Sequence, residues 1–127
     1  MTEKLRLGGG NSDVKKSFKD YAEELRAFDP NILAIVENHD VVDLYVKYRL
    51  AEYRAMLGSP FGLQKKKLEA DFRQALNNLS NNLAFSANQH GIDPLDENTS
   101  QQIYQALELE RLSDKKYKKV NKILSHF

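Results

Sequence analysis

Asp40-Val41-Val42-Asp43-Leu44-Tyr45-Val46-Lys47-Tyr48-Arg49-Leu50-Ala51-Glu52-Tyr53-Arg54-Ala55-Met56-Leu57 is the stretch that decides how this chain folds. Two apolar stripes run through it at helical spacing. One passes through Val41, Leu44, Tyr45 and Tyr48, the other through Val42, Val46, Leu50, Tyr53 and Leu57. A helix that is apolar on two sides needs cover on two sides, either at the centre of a bundle or between its own domain and a neighbouring subunit. Three tyrosines bring large apolar area with a polar tip, which suits a core edge or an interface.

Gly58-Ser59-Pro60-Phe61-Gly62 follows, a loop short enough for the next helix to turn back antiparallel. That next helix, Leu63 to His90, opens on Lys65-Lys66-Lys67, at the end where the helix dipole disfavours cations. Leu68, Phe72, Leu76, Leu79, Leu83 and Ala87 then recur at spacings of four, four, three, four and four, a coiled-coil-like seam. Asn77, Asn78, Asn81, Asn82 and Asn88 occupy the other faces, which are too polar for a core. His90-Gly91 is a stop with a glycine suited to the left-handed cap, and Ile92-Asp93-Pro94 leads away. The sequence therefore predicts an all-α fold, a small helical bundle built on a central antiparallel helical hairpin at 40–91.

The flanks read as helices around that hairpin. Met1 to Gly10 ends in three glycines and reads as a flexible tail, while 11–39 holds the N-terminal helices and 92–127 the C-terminal ones, all within one domain. Ser12 is the expected cap of a first helix whose stripe is Val14, Phe18, Tyr21, Ala22, Leu25 and Phe28. Asp29-Pro30 ends it, and Pro30 starts a short apolar helix through Ile32, Leu33, Ile35 and Val36. Asp40 is the expected cap of the long helix. Farther on, Asn98 or Thr99 is expected to cap a helix from Ser100 to Leu112. Ser113-Asp114 breaks that helix, and a last one, Asp114 to His126, sets Tyr117, Val120, Ile123, Leu124 and Phe127 on one face and five lysines on the others.

Composition narrows the function. The chain has 127 residues, no cysteine and a net charge of +1 from 19 basic and 18 acidic residues, which excludes disulfides, thiol nucleophiles and bulk polycationic binding. No run approaches a membrane span and the N-terminus does not read as a signal peptide, so a soluble, cytoplasmic protein without a membrane partner is expected. Charge is unevenly placed. Asp93, Asp96, Glu97, Glu108 and Glu110 give a local −5, whereas Lys115, Lys116, Lys118, Lys119 and Lys122 against Asp114 give +4. Such asymmetry marks either a basic binding arm or a solvated helix face. His39, His90 and His126 lack ligand spacing, no nucleophile elbow is present, and no carboxylate pair converges, so neither an enzyme, a metal site nor a cofactor is expected.

Taken together, the Leu/Tyr-rich helix with an acidic start, the glycine-containing loop, the pattern Ala75-Leu76-Asn77-Asn78-Leu79 with Leu83 beyond, and the ending Gly91-Ile92-Asp93-Pro94 resemble the small terminase subunits of tailed phages. The resemblance covers residues 40–94. It departs from the family after the proline, where Leu95-Asp96-Glu97 stands in place of the usual Ser-Arg, and in lacking an Arg/Pro-rich N-terminal segment. The resemblance implies a non-enzymatic subunit that forms homo-oligomeric rings, binds double-stranded DNA at the packaging start, and recruits or regulates the large terminase subunit in the host cytoplasm. Under it, Lys15, Lys16 and Lys19, or Lys115, Lys116, Lys118, Lys119 and Lys122, meet phosphates. Val42, Val46, Leu50, Tyr53, Leu68, Phe72, Leu76 and Leu83 build the hairpin and its subunit contacts. Two alternatives remain open on the residues alone: a helical protein-binding adaptor or inhibitor that does not bind DNA, and a basic-helix accessory protein for plasmid or chromosome DNA.

Overall fold

A computed structural model describes residues 17–57, 65–93 and 95–126. The fold is all-α. Among the described residues the order is α1 (Phe18–Leu25), α2 (Pro30–Val36), α3 (His39–Leu57), α4 (Lys65–Gln89), α5 (Glu97–Ser113), a 3-10 turn (Lys115–Tyr117) and α6 (Lys118–Leu124). The expected N-terminal tail, the Ser12 cap with Val14, Lys15 and Lys16, the loop Gly58 to Gly62 with Leu63, and Pro94 and Phe127 lie outside the described residues.

Local chemistry sets most of the boundaries, sometimes one cap away from where the sequence alone put them. α1 begins at Phe18, where Ser17 and Asp20 close a capping box: the Asp20 amide donates to the Ser17 hydroxyl at 3.2 Å and the Ser17 amide to the Asp20 carboxylate at 2.9 Å. Asp29 caps α2 through the Asn31 amide at 2.8 Å, with Pro30 at the first helical position as expected. For α3 the capping side chain is Asn38, which accepts from the Asp40 amide at 3.0 Å, so Asp40 lies inside the first turn. For α5 it is Asp96, taking both the Thr99 amide and its hydroxyl, so the helix starts at Glu97, three residues ahead of the expected Ser100. α4 ends as its glycine requires. Gly91 has φ +69°, the Ile92 amide donates to the Ala87 carbonyl at 2.8 Å and the Gly91 amide to that of Asn88 at 3.3 Å, a Schellman turn that swings Ile92 back onto the core.

The core gathers Ile35, Val36, Val41, Val42, Leu79, Ala87, Ala106 and Leu107, all at 1% exposure or less. Each full-size aliphatic there contributes roughly 1.5–3 kcal/mol by leaving water. α3 lies at its centre. α4 packs on it more extensively than any other element does, and α2, α5 and α6 cover the remaining sides of its first half. The cover expected for two apolar stripes is thus supplied from within the chain, but only for part of the helix. Val41, Val42, Tyr45 and Val46 are buried, whereas Leu50 and Tyr53 are half-buried and Met56 and Leu57 stand 70% and 68% exposed.

The seam of α4 divides in the same way. Leu79, Leu83 and Ala87 are buried, but Leu68, Phe72 and Leu76 are only half-buried, and no residue from Lys65 to Asn78 is buried. Tyr48 stacks on Phe72 with ring centroids 5.6 Å apart. Asparagines on the outer side of α4 each cost on the order of 0.5 kcal/mol relative to alanine in a helix, and the buried second half of the seam offsets them.

Candidate functional site

Three surfaces carry chemistry beyond packing. The first is the C-terminal segment. Asp114 caps the 3-10 turn by accepting from the Lys116 amide at 2.8 Å, and the turn delivers Tyr117, 4% exposed, onto α3. There the Tyr117 hydroxyl donates to Asp43, and the Lys116 ammonium approaches the same carboxylate at 3.2 Å while lying 5.3 Å above the Tyr117 ring. The tyrosine hydrogen bond, with help from Lys116, holds the Asp43 carboxyl below its ordinary range. Burial and then Asp43 push the Tyr117 phenol up. Leu124 is buried and Asn121 reaches α5, so α6 is tied down along one side.

Its other side is left to the lysines. Lys118, Lys119 and Lys122 are exposed within roughly 100° of the α6 circumference, and Lys115 is exposed on the turn before it. Lys116 is the exception in the expected cluster of five, because it is engaged with Asp43 and Tyr117. Of the N-terminal lysines, Lys19 is exposed on α1, and Lys15 and Lys16 lie outside the described residues. Lys19 and the α6 lysines stand on helices with different chief partners: α1 packs mainly on α5, and α6 mainly on α3.

A half-buried polar network is the second feature. Arg111, 4% exposed, holds Glu108 in a two-pronged grip, Nε to Oε1 at 3.0 Å and Nη2 to Oε2 at 2.7 Å, and its Nη1 donates to the Asn121 side-chain oxygen at 2.6 Å. From α3, the Tyr45 hydroxyl donates to Glu108 at 2.8 Å, and Arg49 donates to the same carboxylate oxygen at 3.0 Å and pairs with Glu52 at 3.3 Å. Burial works to raise the Glu108 pKa, but Arg111, Tyr45 and Arg49 together outweigh it and hold the carboxyl below its ordinary range. Burial, seconded by the Glu108 charge, pushes the Tyr45 phenol up. An open cavity of about 720 Å³ adjoins this network, walled by Phe28, Tyr45, Tyr104 and Leu109. Every charge in the network is balanced by another member, so it fastens α3, α5 and α6 together and leaves no poised acid or base.

The expected hairpin and subunit residues sort by depth. Val42, Val46 and Leu83 are core residues, while Leu50, Tyr53, Leu68, Phe72 and Leu76 are half-buried along the outer halves of α3 and α4. Among the described residues no group of three or more His, Asp or Glu side chains is arranged to hold a metal ion, and no helix is long and apolar enough to cross a membrane. Comparison with known proteins finds no family model, curated protein or solved structure that matches the chain.

The buried Arg111 and the Asp43–Tyr117 tie were not anticipated from the sequence. Arg111 has one local signal, its spacing of three from Glu108 on one helix face. Asp43 and Tyr117 are 74 residues apart and have none.

The third surface is the outer side of α4 from Gln74 to Gln89, where no residue is charged and the aromatic ring of Phe85 is 65% exposed.

Proposed function

We propose that this chain is a non-enzymatic phage DNA-packaging subunit of the small-terminase kind, which self-associates, contacts double-stranded DNA and recruits or regulates the large terminase. The observation that carries the DNA-binding part is the split character of α6 and the turn before it: one side is fastened to α3 and α5 through Leu124, Asn121 and Tyr117, and the other presents Lys118, Lys119 and Lys122, with Lys115 from the turn, to solvent. A cationic face held rigidly by the fold suits a phosphate backbone, because the side chains that make the contacts need no backbone ordering on binding. The net charge of +1 confines attraction to such local faces. The packaging role itself rests on the resemblance of residues 40–94 to the small terminase subunits.

The test is a fluorescence-anisotropy titration of duplex DNA over a salt series. With about four phosphate contacts, log K is expected to fall with log salt at a slope of roughly −3 to −4. Lys118→Ala, Lys119→Ala and Lys122→Ala combined are expected to flatten that slope by about 3. Absence of duplex binding at low salt refutes the DNA part. A second reading, a protein-binding adaptor without DNA affinity, draws its support from Met56 and Leu57, the two exposed apolar side chains that end α3. It is favoured if the titration is flat.

A further inference from the structure

The uncovered halves of α3 and α4 form one end of the molecule. No residue from Glu52 to Leu57 or from Lys65 to Asn78 is buried, seven residues join the two helices, and Tyr48 stacks on Phe72 behind the uncovered ends. Met56 and Leu57 protrude there, at 70% and 68% exposure. The charge beside them is of one sign: Arg54, Lys65, Lys66 and Lys67 are exposed, and no carboxylate occurs between Glu52 and Glu69. The three lysines open α4, where its dipole disfavours cations, so helix stability does not account for their place. The far end of α4 carries the complement. Past Gly91, the side chains of Asp93, Leu95, Asp96 and Glu97 are exposed, and no lysine or arginine occurs between Arg73 and Arg111. Leu95 is 90% exposed, and Asp93 holds it out: the Leu95 amide donates to the Asp93 carboxylate at 2.9 Å, and the Asp96 amide to the Asp93 carbonyl at 3.3 Å. Lys65 and Gln89 are the two ends of one helix, roughly 36 Å apart, so the cationic and acidic ends cannot meet within one chain.

We infer that these two ends bind each other between copies: the Met56–Leu57 end of one chain docks on the Leu95 end of a second, with Arg54 and the three lysines set against Asp93, Asp96 and Glu97. Such a contact has the make-up of a protein interface, with apolar side chains at its centre and opposite charges at its rim. It joins unlike surfaces, so each docked copy still offers one end to the next, and the assembly extends head to tail or closes as a ring. A nucleic acid or an anionic lipid surface would meet the cationic end and repel the acidic one. A second copy accounts for both. The inference gives specific surfaces to the self-association proposed above and rests on that reading for assembly alone; it is independent of DNA binding.

Sedimentation velocity over concentration and salt series tests it, with circular dichroism to confirm that each variant is folded. Wild-type protein is expected to associate, and to do so more weakly as salt rises. Lys65→Glu, Lys66→Glu and Lys67→Glu combined reverse the cationic end without weakening α4, because carboxylates suit a helix start. Asp93→Lys with Glu97→Lys reverses the acidic end, and Leu95→Ala, at a side chain already 90% exposed, removes apolar contact alone. Each of these proteins is expected to associate about tenfold or more weakly than wild type. In an equimolar mixture of the two charge-reversed proteins every end again finds its opposite, so association is expected to recover by about tenfold over either protein by itself. A wild-type monomer at every concentration overturns the inference together with the self-association it rests on. Association that survives both charge reversals, or a mixture that stays dissociated while wild type associates, overturns this contact and leaves assembly through another surface standing. If the lysine variant keeps the wild-type mass but loses affinity in the duplex titration, or for vesicles of phosphatidylserine and phosphatidylcholine, the cationic end belongs to nucleic acid or to a membrane and the inference is also overturned.

Discussion

Removing Glu108 is expected to cost far more stability than removing the arginine it holds. In Glu108→Ala the guanidinium of Arg111, 4% exposed, loses both prongs of its ion pair and keeps only the Asn121 contact, while Arg49 and the Tyr45 hydroxyl lose a shared acceptor. Leaving a buried charge without its partner costs 3–5 kcal/mol as a rule, and because the Glu108 side chain keeps 32% exposure the lower end applies, about 3 kcal/mol. Arg111→Met is different. It fills the same space, and Glu108 keeps Arg49 and Tyr45, so the loss is that of the Asn121 hydrogen bond and one charged contact, about 1 kcal/mol. Urea unfolding followed by helical circular dichroism at neutral pH measures both, with equal denaturant slopes as the condition for comparing them. The Glu108 pKa is lowered on folding, so its contribution is whole above the unfolded-state value and fades as pH falls through the folded-state value. The penalty of Glu108→Ala should therefore shrink in acid. A cost below about 1 kcal/mol, or a larger cost for Arg111→Met than for Glu108→Ala, refutes the account of the network as a fastening centred on Glu108.

Glu110 should behave in the opposite sense. Burial, reinforced by the Asp114 and Glu37 charges against a smaller favourable effect of His39, raises its pKa, so its charged form opposes folding. Glu110→Gln is expected to raise the melting temperature at neutral pH and to match wild type below the carboxylate range. Leu79→Ala, at a fully buried position between α3 and α4, is expected to cost about 2.7–5 kcal/mol in urea unfolding, whereas Leu76→Ala one turn earlier, half-buried, should cost clearly less. Gly91→Ala meets no atom within 4 Å of the new Cβ, so its cost comes from the positive φ alone, about 1 kcal/mol by the same measurement.

The sequence was legible where one physical rule acted without competition. The α4 stop at Gly91 follows from a left-handed position that only glycine takes without strain, and Asp29-Pro30 left one solution for the start of α2. Helix starts were less legible because capping side chains come in runs. Asn38, Asp40, Asp96, Asn98 and Thr99 can all cap, and the helix that packs best on the core selects among them. The even seam from Leu68 to Ala87 gave no hint that only its second half is buried, since periodicity reports which face is apolar and not how far along the helix other elements reach. The lysines of the last helix read as one cluster of five. Lys116 leaves it because Asp43, on a helix 73 residues earlier, lies within reach of its ammonium, a proximity no local pattern encodes.

The chief partner of α1 is α5, and this has a consequence for how the chain is made. Leu25 closes α1 and Ser113 closes α5, so 88 residues (113 − 25) must follow the first helix before its docking surface is complete. At translation rates of roughly 5–20 residues per second, the stripe of Phe18, Tyr21 and Leu25 waits about 4–18 s with its main partner unmade, while α3 and α4 already have each other. On the ribosome, α1 is then among the last of the described helices to find its place. In those seconds it is the segment a chaperone would meet.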